Sequence, residues 1–378
     1  MDEITRVVLV GAGHAHLHLA ANADRLIARG AHVTLVSPGA FWYSGMASGM
    51  LGGDYRDDED RLDPTTLMHA HGGDVVQDRV VRIDRRQRQL HLARHEPLAY
   101  DLLSLNLGSE VYRPSRLAPS GAPDVWAAKP VHHLWQLRQQ LESTLATSDP
   151  APRLAIIGGG PTGVELTANL LALFERYGRS PRVTLVGGEE RLLPDAPRGA
   201  GRWVARRLMR RGARLELAAS AVAWETGTLH LDDGSQVAAD QLLLATGLVA
   251  PDLIGTLDLP QDAHQGLAIT PTLHSPDDPR LFAVGDCAWL TSAPHPKLGV
   301  FGVRQAPVLL ANLEARLTGE PLQSFHPQQR YLSILNLGDG RGLALRGPLW
   351  WRGRSALWLK RYLDHRFMAT YRTKDAID

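Results

Sequence analysis

The chain of 378 residues carries 41 basic and 40 acidic side chains, which leaves a formal charge of +1 at pH 7. That even balance excludes the basic footprint of a nucleic-acid-binding protein, and the length predicts at least two domains. The single cysteine, Cys287, excludes an internal disulfide framework and is typical of a cytoplasmic protein.

A strand, a glycine turn and a helix open the chain. The apolar strand Arg6 to Val10 runs into Gly11-Ala-Gly13, a helical pattern follows, and a second strand covers His32 to Val36. This order predicts a dinucleotide site at the turn, where glycine lets phosphates approach the start of a helix. Because a strand begins at once and no apolar run approaches ~20 residues, we expect neither a signal peptide nor a membrane span.

This first unit departs twice from the strict dinucleotide fingerprint. His16 stands where the third glycine is expected, and Ser37 stands where an acid usually accepts the ribose hydroxyls. His14, His16 and His18 also suggest a metal site, but on a helix His16 points away from the other two, and no acid or cysteine is placed nearby. We therefore expect packed histidines around a phosphate-binding turn and no metal.

The next segments contain a ligand loop and several strands. Phe41 to Gly53 mixes aromatic and small residues, which predicts a loop in contact with a flat ligand. Strands are expected at 75–83 and 89–92, and a buried strand runs from Tyr100 into the small-residue turn Leu107-Gly108-Ser109. The features that follow are a linker at 114–123, an amphipathic helix at 131–145 and a second linker at 147–152.

The clearest motif lies at the centre of the chain. The buried strand Leu154 to Ile157 leads into Gly158-x-Gly160-x-x-Gly163, and a helical pattern and a further strand follow. Gly158 permits the tight turn, Gly160 lets the backbone approach a pyrophosphate, and Gly163 allows close packing of helix and strand. This combination predicts a second dinucleotide site rather than a plain glycine-rich turn.

Two later strands end in motifs that suit a ligand-binding edge. Gln241 to Ala245 closes in Thr246-Gly247, which parallels Gly108 in the first half, so the chain contains two related units. The strand Arg280 to Val284 ends in Gly285-Asp286, whose carboxylate is placed to accept hydrogen bonds from ligand hydroxyls. The remaining elements predicted here are a basic, solvated helix at 202–211, a loop at 297–305 and a helix at 306–317.

The tail from Trp350 to Tyr371 combines aromatic and basic side chains, which is the composition of an interfacial helix. Leu359, Leu363 and Phe367 form an apolar stripe on it. The stripe is narrow, because Lys360 flanks it closely. We therefore favour a helix that docks on the first unit or on a homodimer partner over one that lies on the inner face of the cell membrane.

Taken together, the motifs resemble those of the pyridine nucleotide–disulfide oxidoreductases, flavoproteins with two dinucleotide-binding domains. Five motifs occur in the order found there: Gly11-x-Gly13, Leu107-Gly108-Ser109, Gly158 to Glu165, Ala245-Thr-Gly247 and Phe282-Ala-Val-Gly-Asp286. The Gly-Pro-Thr-Gly-Val-Glu form resembles the type II NADH dehydrogenase branch. Four stretches resemble NADH-dehydrogenase-like proteins associated with selenophosphate synthetase: Gly13-His-Ala-His16, Tyr43-Ser-Gly-Met46, Val303-Arg-Gln-Ala-Pro307 and Arg366-Phe-Met368.

This resemblance implies an α/β fold with two Rossmann-like dinucleotide-binding domains, as in glutathione reductase, and a small C-terminal extension. An FAD-binding domain would comprise residues 1–118 and 252–318, with an NAD(P)H-binding domain inserted at 119–251. Strands and an amphipathic helix would form the extension at 319–378.

The resemblance also implies roles for individual residues. In the FAD site, Gly11, Gly13 and His14 would face the pyrophosphate. Ser37 would contact the adenine ribose, Val80 the adenine and Asp286 the ribitol. Gly299 and Val300 would lie along the pyrimidine edge of the flavin, and Gly108 and Gly285 would belong to the same site. Toward NADH, or NADPH as the alternative, Gly158, Gly160, Thr162 and Gly163 would cradle the phosphates, and Thr246 and Gly247 would lie near the nicotinamide. The catalytic candidates are Glu165, Gln305 and Lys129.

One departure from the family decides the expected reaction. Disulfide reductases of this superfamily need a cysteine pair beside the flavin, whereas Ser44 stands in the corresponding loop and Cys287 has no partner. We therefore expect hydride transfer from NADH to FAD and then to a quinone or another small acceptor. An accessory flavoprotein of selenium metabolism and a nucleotide-binding protein without turnover stay open as alternatives. The acid Glu189 favours NADH, whereas Arg191 could attract a 2′-phosphate.

Overall fold

The computed structural model describes residues 4–56, 58–118, 122–147, 150–225 and 227–372. The two predicted linkers and the boundary at 118–119 lie partly outside these ranges. The helices are α1 (His14–Ala20), α2 (Ala23–Ile27), α3 (Ala47–Leu51), α4 (Pro64–Ala70), α5 (His132–Thr147), α6 (Pro161–Arg176), α7 (Arg198–Arg210), α8 (Asp252–Gly255), α9 (Gly299–Thr318) and α10 (Arg354–Tyr371).

The strands are β1 (Thr5–Val10), β2 (Ala31–Val36), β3 (Phe41–Trp42), β4 (Arg61–Leu62), β5 (Asp74–Val76), β6 (Val80–Asp84), β7 (Gln89–Leu92), β8 (Leu98–Ala99), β9 (Leu102–Leu105), β10 (Glu110–Val111), β11 (Val125–Ala127), β12 (Leu154–Ile157), β13 (Val183–Gly187), β14 (Arg214–Leu217), β15 (Ala221–Glu225), β16 (Thr228–Leu231), β17 (Gln236–Ala238), β18 (Gln241–Leu244), β19 (Leu248–Val249), β20 (Gln261–Asp262), β21 (Gly266–Ile269), β22 (His274–Ser275), β23 (Asp278–Ala283), β24 (Ala288–Leu290), β25 (Ser333–Asn336), β26 (Gly342–Arg346) and β27 (Leu349–Gly353).

A six-stranded sheet of order β22-β23-β9-β1-β2-β5 forms the core of the first unit. The continuous apolar run Val7 to Val10 is fully buried in its centre, as expected for a parallel strand that is covered on both faces. In register, Val7 lies beside Val33 of β2 and beside Leu102 of β9. Helices α1 and α9 pack against each other on this sheet. Its strands come from both ends of the chain, before and after the second unit.

A second sheet of order β11-β18-β12-β13-β14 is parallel throughout and forms the core of the second unit. The buried strand β12 passes into α6 through the central glycine motif. This repeats the passage of β1 into α1, so each unit places a glycine turn at the carboxyl edge of its own sheet. The predicted α/β fold with two Rossmann-like units is confirmed.

A third part of the chain connects the two units. In this C-terminal unit β25, β26 and β27 form an antiparallel sheet on which α10 packs, and β25 contacts α6 of the second unit. Among the residues that the structure describes, no helix combines the length and the apolar character needed to cross a membrane.

Several local predictions are wrong at their boundaries. The expected ligand loop at 41–53 contains the buried helix α3, which packs on α5 and α6. The expected strand 75–83 is two strands, because Asp78 turns the chain between them and its carboxylate accepts the N–H groups of Arg79, Arg94 and His95. Helix α9 begins at Gly299 rather than at 306, and residues 349–353 are a strand rather than the start of the terminal helix.

Candidate active site

The first glycine turn is built around a residue that the sequence analysis did not select, Asn106. A Cβ on Gly13 would lie 2.3 Å from Asn106 Oδ1, and a Cβ on Gly11, whose φ is +85°, would lie 2.6 Å from the Asn106 carbonyl oxygen. The same Oδ1 accepts hydrogen bonds from the N–H groups of Ala15 at 3.0 Å and His16 at 3.2 Å. The start of α1 is therefore partly capped by a side chain from the end of β9.

The two histidines of this turn differ in exposure, since His16 is buried and His14 is half-buried. His16 is fully buried, with Nδ1 2.6 Å from the Gly11 carbonyl oxygen and Nε2 2.8 Å from Ser104 Oγ, so its ring fills the space next to the strand. The His14 ring lies 5.1 Å from the ring of Phe41. Burial lowers the pKa of both histidines to about 4. Within the described residues, no cluster of three or more His, Cys, Asp or Glu side chains could hold a metal ion.

A charged centre surrounds Asp286, which lies in a short 3-10 helix after β23. Its Oδ2 accepts hydrogen bonds from Lys129 Nζ at 2.6 Å and from Ser109 Oγ at 2.8 Å. Lys297 Nζ donates to the Asp286 carbonyl and, at 2.7 Å, to that of Gln265. Burial opposes ionisation, but Lys129, Ser109 and Lys297 together hold the pKa of Asp286 below its ordinary value. Lys129 thus belongs to the first site through an ion pair.

Gln305 and the start of α9 lie beside this centre. Gln305 is fully buried, and its Oε1 accepts the Gly285 N–H at 2.7 Å, while its Nε2 has no hydrogen-bond partner in the described part of the chain. Gly299 and Val300 form the first turn of α9, and a Cβ on Gly299 would lie 3.1 Å from the His14 ring. Gln305 thus contacts the loop that carries Asp286. The catalytic role of Gln305 stays a prediction.

The residues expected at the adenine end, Ser37 and Val80, lie after β2 of the first sheet and in the separate sheet of order β6-β7-β8. Ser37 is buried after β2, and its hydroxyl donates to the Gly39 carbonyl at 3.1 Å. Val80 is buried in β6, opposite Leu92 of β7. Gly108 has a φ of +72°, and no heavy atom of the described chain lies within 4 Å of a Cβ built there. Open space therefore adjoins the turn after β9.

The second glycine turn has the geometry that the motif requires. A Cβ on Gly163 would lie 1.8 Å from the Gly158 carbonyl oxygen, so only glycine allows α6 to approach the strand this closely. Gly158 has a φ of +130°. By contrast, Cβ atoms built on Gly160 and on Gly247, whose φ is +105°, meet no described heavy atom within 4 Å. The turn and the loop after β18 thus face open space at one sheet edge.

The rim of this second site favours one of the two nucleotide alternatives. Thr162 is exposed on the first turn of α6, whereas the Thr246 hydroxyl donates to the Tyr112 carbonyl. Arg191 donates to the carbonyls of Leu193 and Ala196, both at 3.0 Å, and of Pro194, so its guanidinium organises its own loop. The suggestion that Arg191 attracts a 2′-phosphate stays a prediction. The exposed acids after β13 are Glu189 and Glu190.

Glu165 lies where the two units and the C-terminal unit meet. Its Oε1 accepts the Asn336 N–H at 2.7 Å, and Ser48 of the first unit hydrogen-bonds the carboxylate. Burial raises the pKa of Glu165, while Lys360 and the Asn336 N–H act in the opposite direction. Asp364, from the same helix as Lys360, raises it further. Glu165 is thus one member of a buried polar cluster.

Helix α10 supplies the other members of that cluster. Lys360 Nζ donates to the Gly45 carbonyl at 2.5 Å and lies 3.1 Å from Asp364 Oδ2. The Tyr43 hydroxyl donates to Asp364 Oδ1 at 3.1 Å, and the Tyr43 ring stacks on Phe367 with centroids 4.6 Å apart. Burial raises the pKa of Asp364. Lys360 therefore pairs directly with Asp364, and its charge also favours the ionised form of Glu165.

These contacts correct the predicted packing face of α10. The expected stripe placed Leu363 in contact with a neighbour, but Leu363 is 41% exposed, while Lys360 and Asp364 are 8% and 5% exposed. The charged residues face inward because Lys360 and Asp364 pair with each other and each has a hydrogen-bond partner on the first unit. Docking of the helix on the first unit, the favoured alternative, agrees with the contacts of Lys360 with Gly45 and of Asp364 with Tyr43.

A family model described as pyridine nucleotide-disulphide oxidoreductase matches residues 5–307. The chain belongs to this family. It is 27% identical to the NADH dehydrogenase-like protein YutJ of Bacillus subtilis, over 72% of this chain and 73% of the relative. It is also 27% identical to the type II NADH:quinone oxidoreductase of Haemophilus influenzae, over 84% and 82%. The structure of NDH2 from Plasmodium falciparum in complex with NADH superposes with a TM-score of 0.82 at 14% identity, covering 98% of each chain.

Family membership makes the chain an oxidoreductase that works with FAD and NADH. The predicted kinship with NADH-dehydrogenase-like proteins is confirmed by these relatives. The association with a selenophosphate synthetase stays a prediction.

Proposed function

We propose that the chain takes a hydride from NADH onto FAD and passes the electrons to a quinone or another small diffusible acceptor, without a cysteine relay. The observation that carries this proposal is the open space at the carboxyl edges of the two sheets, beside Gly108 after β9 in the first unit and beside Gly160 and Gly247 in the second. Ligands of such sheets bind at that edge. Relatives described as NADH:quinone oxidoreductases support the choice of acceptor.

The residues of the first unit suit FAD. The open turn at Gly108 and the start of α1 would receive the pyrophosphate, and the Asp286 carboxylate would accept hydrogen bonds from ribitol hydroxyls. Lys129 would keep that carboxylate ionised, and the N-terminal end of α9 would direct its positive dipole end at the ring. When bound, FAD supplies the redox chemistry by accepting a hydride and releasing two electrons.

The residues of the second unit suit NADH. Gly160 would bring the backbone against the pyrophosphate, and the loop at Gly247 would leave room for the nicotinamide. Glu189 or Glu190 would accept hydrogen bonds from the adenine ribose, which favours NADH over NADPH because a 2′-phosphate would meet a like charge.

The buried cluster at the junction of the three units suits proton transfer. A quinone that receives a hydride needs one further proton to become a hydroquinone. Lys360 pairs with Asp364 and acts on Glu165 through its charge, and burial raises the pKa of both carboxylic acids. We infer that this cluster holds a proton at a carboxylate oxygen and that Tyr43, bonded to Asp364, links the cluster to the aromatic side chains around His14.

Electrons would leave the flavin directly. Cys287 is fully buried, and burial raises its thiol pKa to about 11, so almost no thiolate is present near neutral pH. Its sulfur lies 3.4 Å from the Val284 carbonyl oxygen. This sequence contains no second thiol with which a disulfide could form.

The outer face of the C-terminal unit suits peripheral contact with an anionic membrane surface. Trp358 and Tyr362 are 66% and 50% exposed and stack on each other with centroids 5.8 Å apart. Further exposed apolar and basic side chains accompany them: Leu349, Trp351, Leu363, Arg354, Arg361 and Arg366. Aromatic and basic residues together are typical of interfacial helices. A homodimer that covers this face is the alternative outcome of the liposome test given in the Discussion.

The direct test is spectroscopic. We expect the purified protein to show a flavin absorbance band that NADH bleaches under anaerobic conditions and that a soluble ubiquinone analogue restores. A band that NADH leaves oxidised would favour the accessory flavoprotein, and protein that neither contains nor takes up FAD would refute the first site. Bleaching without recovery by the quinone analogue would refute the proposed acceptor alone.

A further inference from the structure

Asn336 joins all three parts of the molecule although it lies outside both glycine motifs. It is fully buried at the end of β25. Its backbone N–H donates to Glu165 Oε1 at 2.7 Å, and its carbonyl accepts from Asn169 Nδ2 at 2.9 Å, both on α6 of the second unit. Its side-chain Nδ2 donates to Asp54 Oδ2 of the first unit at 2.8 Å. Its Oδ1 accepts the Gly338 N–H at 2.9 Å.

The turn that follows Asn336 is held firmly on the second unit. Asp339 forms an ion pair with Arg207 of α7, and Arg211 donates to the Leu337 carbonyl at 2.6 Å. A Cβ on Gly338 would lie 2.8 Å from the Ala168 carbonyl oxygen, so the turn sits directly on α6. Because the turn cannot move apart from α6, the bond from Asn336 to Asp54 fixes the first unit relative to Glu165.

An amide is the side chain that this position requires. The donor Nδ2 faces the carboxylate of Asp54, and the acceptor Oδ1 faces an N–H group, so the two ends of the amide are not interchangeable. A carboxylate at 336 would lie opposite Asp54 at hydrogen-bonding distance, and the like charges would repel.

We propose that Asn336 is a positioning residue for hydride transfer. By holding Glu165 of the second unit and Asp54 of the first in one hydrogen-bonded group, it sets how closely the nicotinamide site approaches the flavin site. The inference rests on the proposed function, since it concerns the distance between those two sites. A misplacement of about 1 Å between reacting groups lowers a rate by about 100-fold.

The test uses Asn336→Asp alone and together with Asp54→Asn. Asn336→Asp should retain FAD but slow flavin reduction by saturating NADH about tenfold or more in anaerobic stopped flow, because the reacting groups are misplaced. In the double variant the donor and the acceptor exchange sides, so the rate should return to within about threefold of the wild type, since the hydrogen bond is restored. A purely structural defect would not be rescued in this way.

Asn312→Asp is the matched control. Asn312 is also fully buried, and its amide makes three hydrogen bonds, to the Thr272 carbonyl and to the carbonyl and N–H of Gln323, away from the junction. It should lose thermal stability and keep the rate of flavin reduction. A second readout is hydrogen–deuterium exchange, which should rise across residues 47–54, the segment that Asp54 ends, in Asn336→Asp and not in the control.

Three outcomes decide whether Asn336 has this positioning role. Wild-type rates in Asn336→Asp, or a double variant as slow as the single one, would overturn the positioning role. A wild-type protein that NADH does not reduce would instead refute the proposed function. In that case the exchange measurement still tests the contact between the units, because unchanged exchange across 47–54 in Asn336→Asp would overturn the role of the Asn336–Asp54 bond and raised exchange would support it.

Discussion

Replacing Gly160 with valine should weaken binding of the second nucleotide and leave the fold intact. Gly160 is the N-cap of α6, with φ −76° and ψ −175°, a conformation that valine adopts without strain. No described heavy atom lies within 4 Å of a Cβ there, so the new side chain enters only the open space in front of the helix. The substitution removes no side-chain hydrogen bond from the end of the helix, because Gly160 contributes none. We therefore expect the free energy of unfolding to change by about 1 kcal/mol or less.

The expected effect on NADH binding is much larger. The methyl groups would occupy the position at which a pyrophosphate oxygen contacts the first N–H groups of α6. Loss of one charge-assisted hydrogen bond costs about 1.5–3 kcal/mol, which weakens the affinity about 12- to 140-fold at 1.4 kcal/mol per tenfold. FAD lies in the other unit, so its occupancy should stay near that of the wild type.

The assay measures the dissociation constant for NADH and the FAD content of the same preparations. Gly255→Val in α8 is a matched control, because a Cβ there meets only Gln261 Nε2, at 3.9 Å, among the described atoms. Unchanged NADH affinity in Gly160→Val would refute the placement of the pyrophosphate. Loss of FAD instead of NADH would show that the two sites are assigned the wrong way round. Gly163 is unsuitable for this test, since a Cβ there would collide with backbone.

Four further predictions follow from the site. Asp286→Ala should lower FAD retention after gel filtration about tenfold or more, as one charge-assisted hydrogen bond is lost, and full retention would contradict the ribitol contact. Cys287→Ser should keep most NADH oxidation with a quinone, and lost turnover at normal flavin content would refute direct electron transfer. Burial lowers the pKa of His16 from 6.5 to about 4. Between pH 4 and pH 6.5 this histidine is therefore protonated in the unfolded chain but not in the folded protein, so the free energy of unfolding falls as pH falls. His16→Gln should therefore reduce the slope of the unfolding free energy against pH by about 1.4 kcal/mol per pH unit in that window. An unchanged slope in denaturant titrations at several pH values would contradict this assignment. Wild-type protein should sediment with anionic liposomes at low salt and less so after Trp358→Ala with Tyr362→Ala, whereas no sedimentation and a dimeric mass would favour a homodimer.

The glycine turns could be predicted from the sequence because their chemistry is local. Gly158, Gly160 and Gly163 lie within six positions. Gly158 has a positive φ and Gly163 packs closely against the strand, which both need a residue without a Cβ, and Gly160 faces the open space that a ligand would enter. The carboxylate at Asp286 was likewise found from a strand that ends in Gly-Asp, because strand ends of parallel sheets meet at one edge. In each case the feature is set by neighbours in the chain.

The residues that the sequence analysis missed are brought to the site from far along the chain. Asn106 caps α1 from 90 positions away, and Asn336 reaches Glu165 from 171 positions away. Neither is part of a motif, and a single asparagine carries no periodic signal. Only the packing of the C-terminal sheet on α6 shows what Asn336 does.

Helix α10 shows why hydrophobic periodicity fails at such a junction. The pattern rule assigns the inward face to Leu359 and Leu363, since apolar side chains gain most from burial. That rule assumes an apolar neighbour. Here the neighbours include a hydroxyl and a backbone carbonyl, and Lys360 and Asp364 are buried against these partners while Leu363 of the expected stripe is exposed. The outward position of Trp358 is the reason for the liposome experiment, which tests whether this face of the helix contacts a membrane surface or a second copy of the chain.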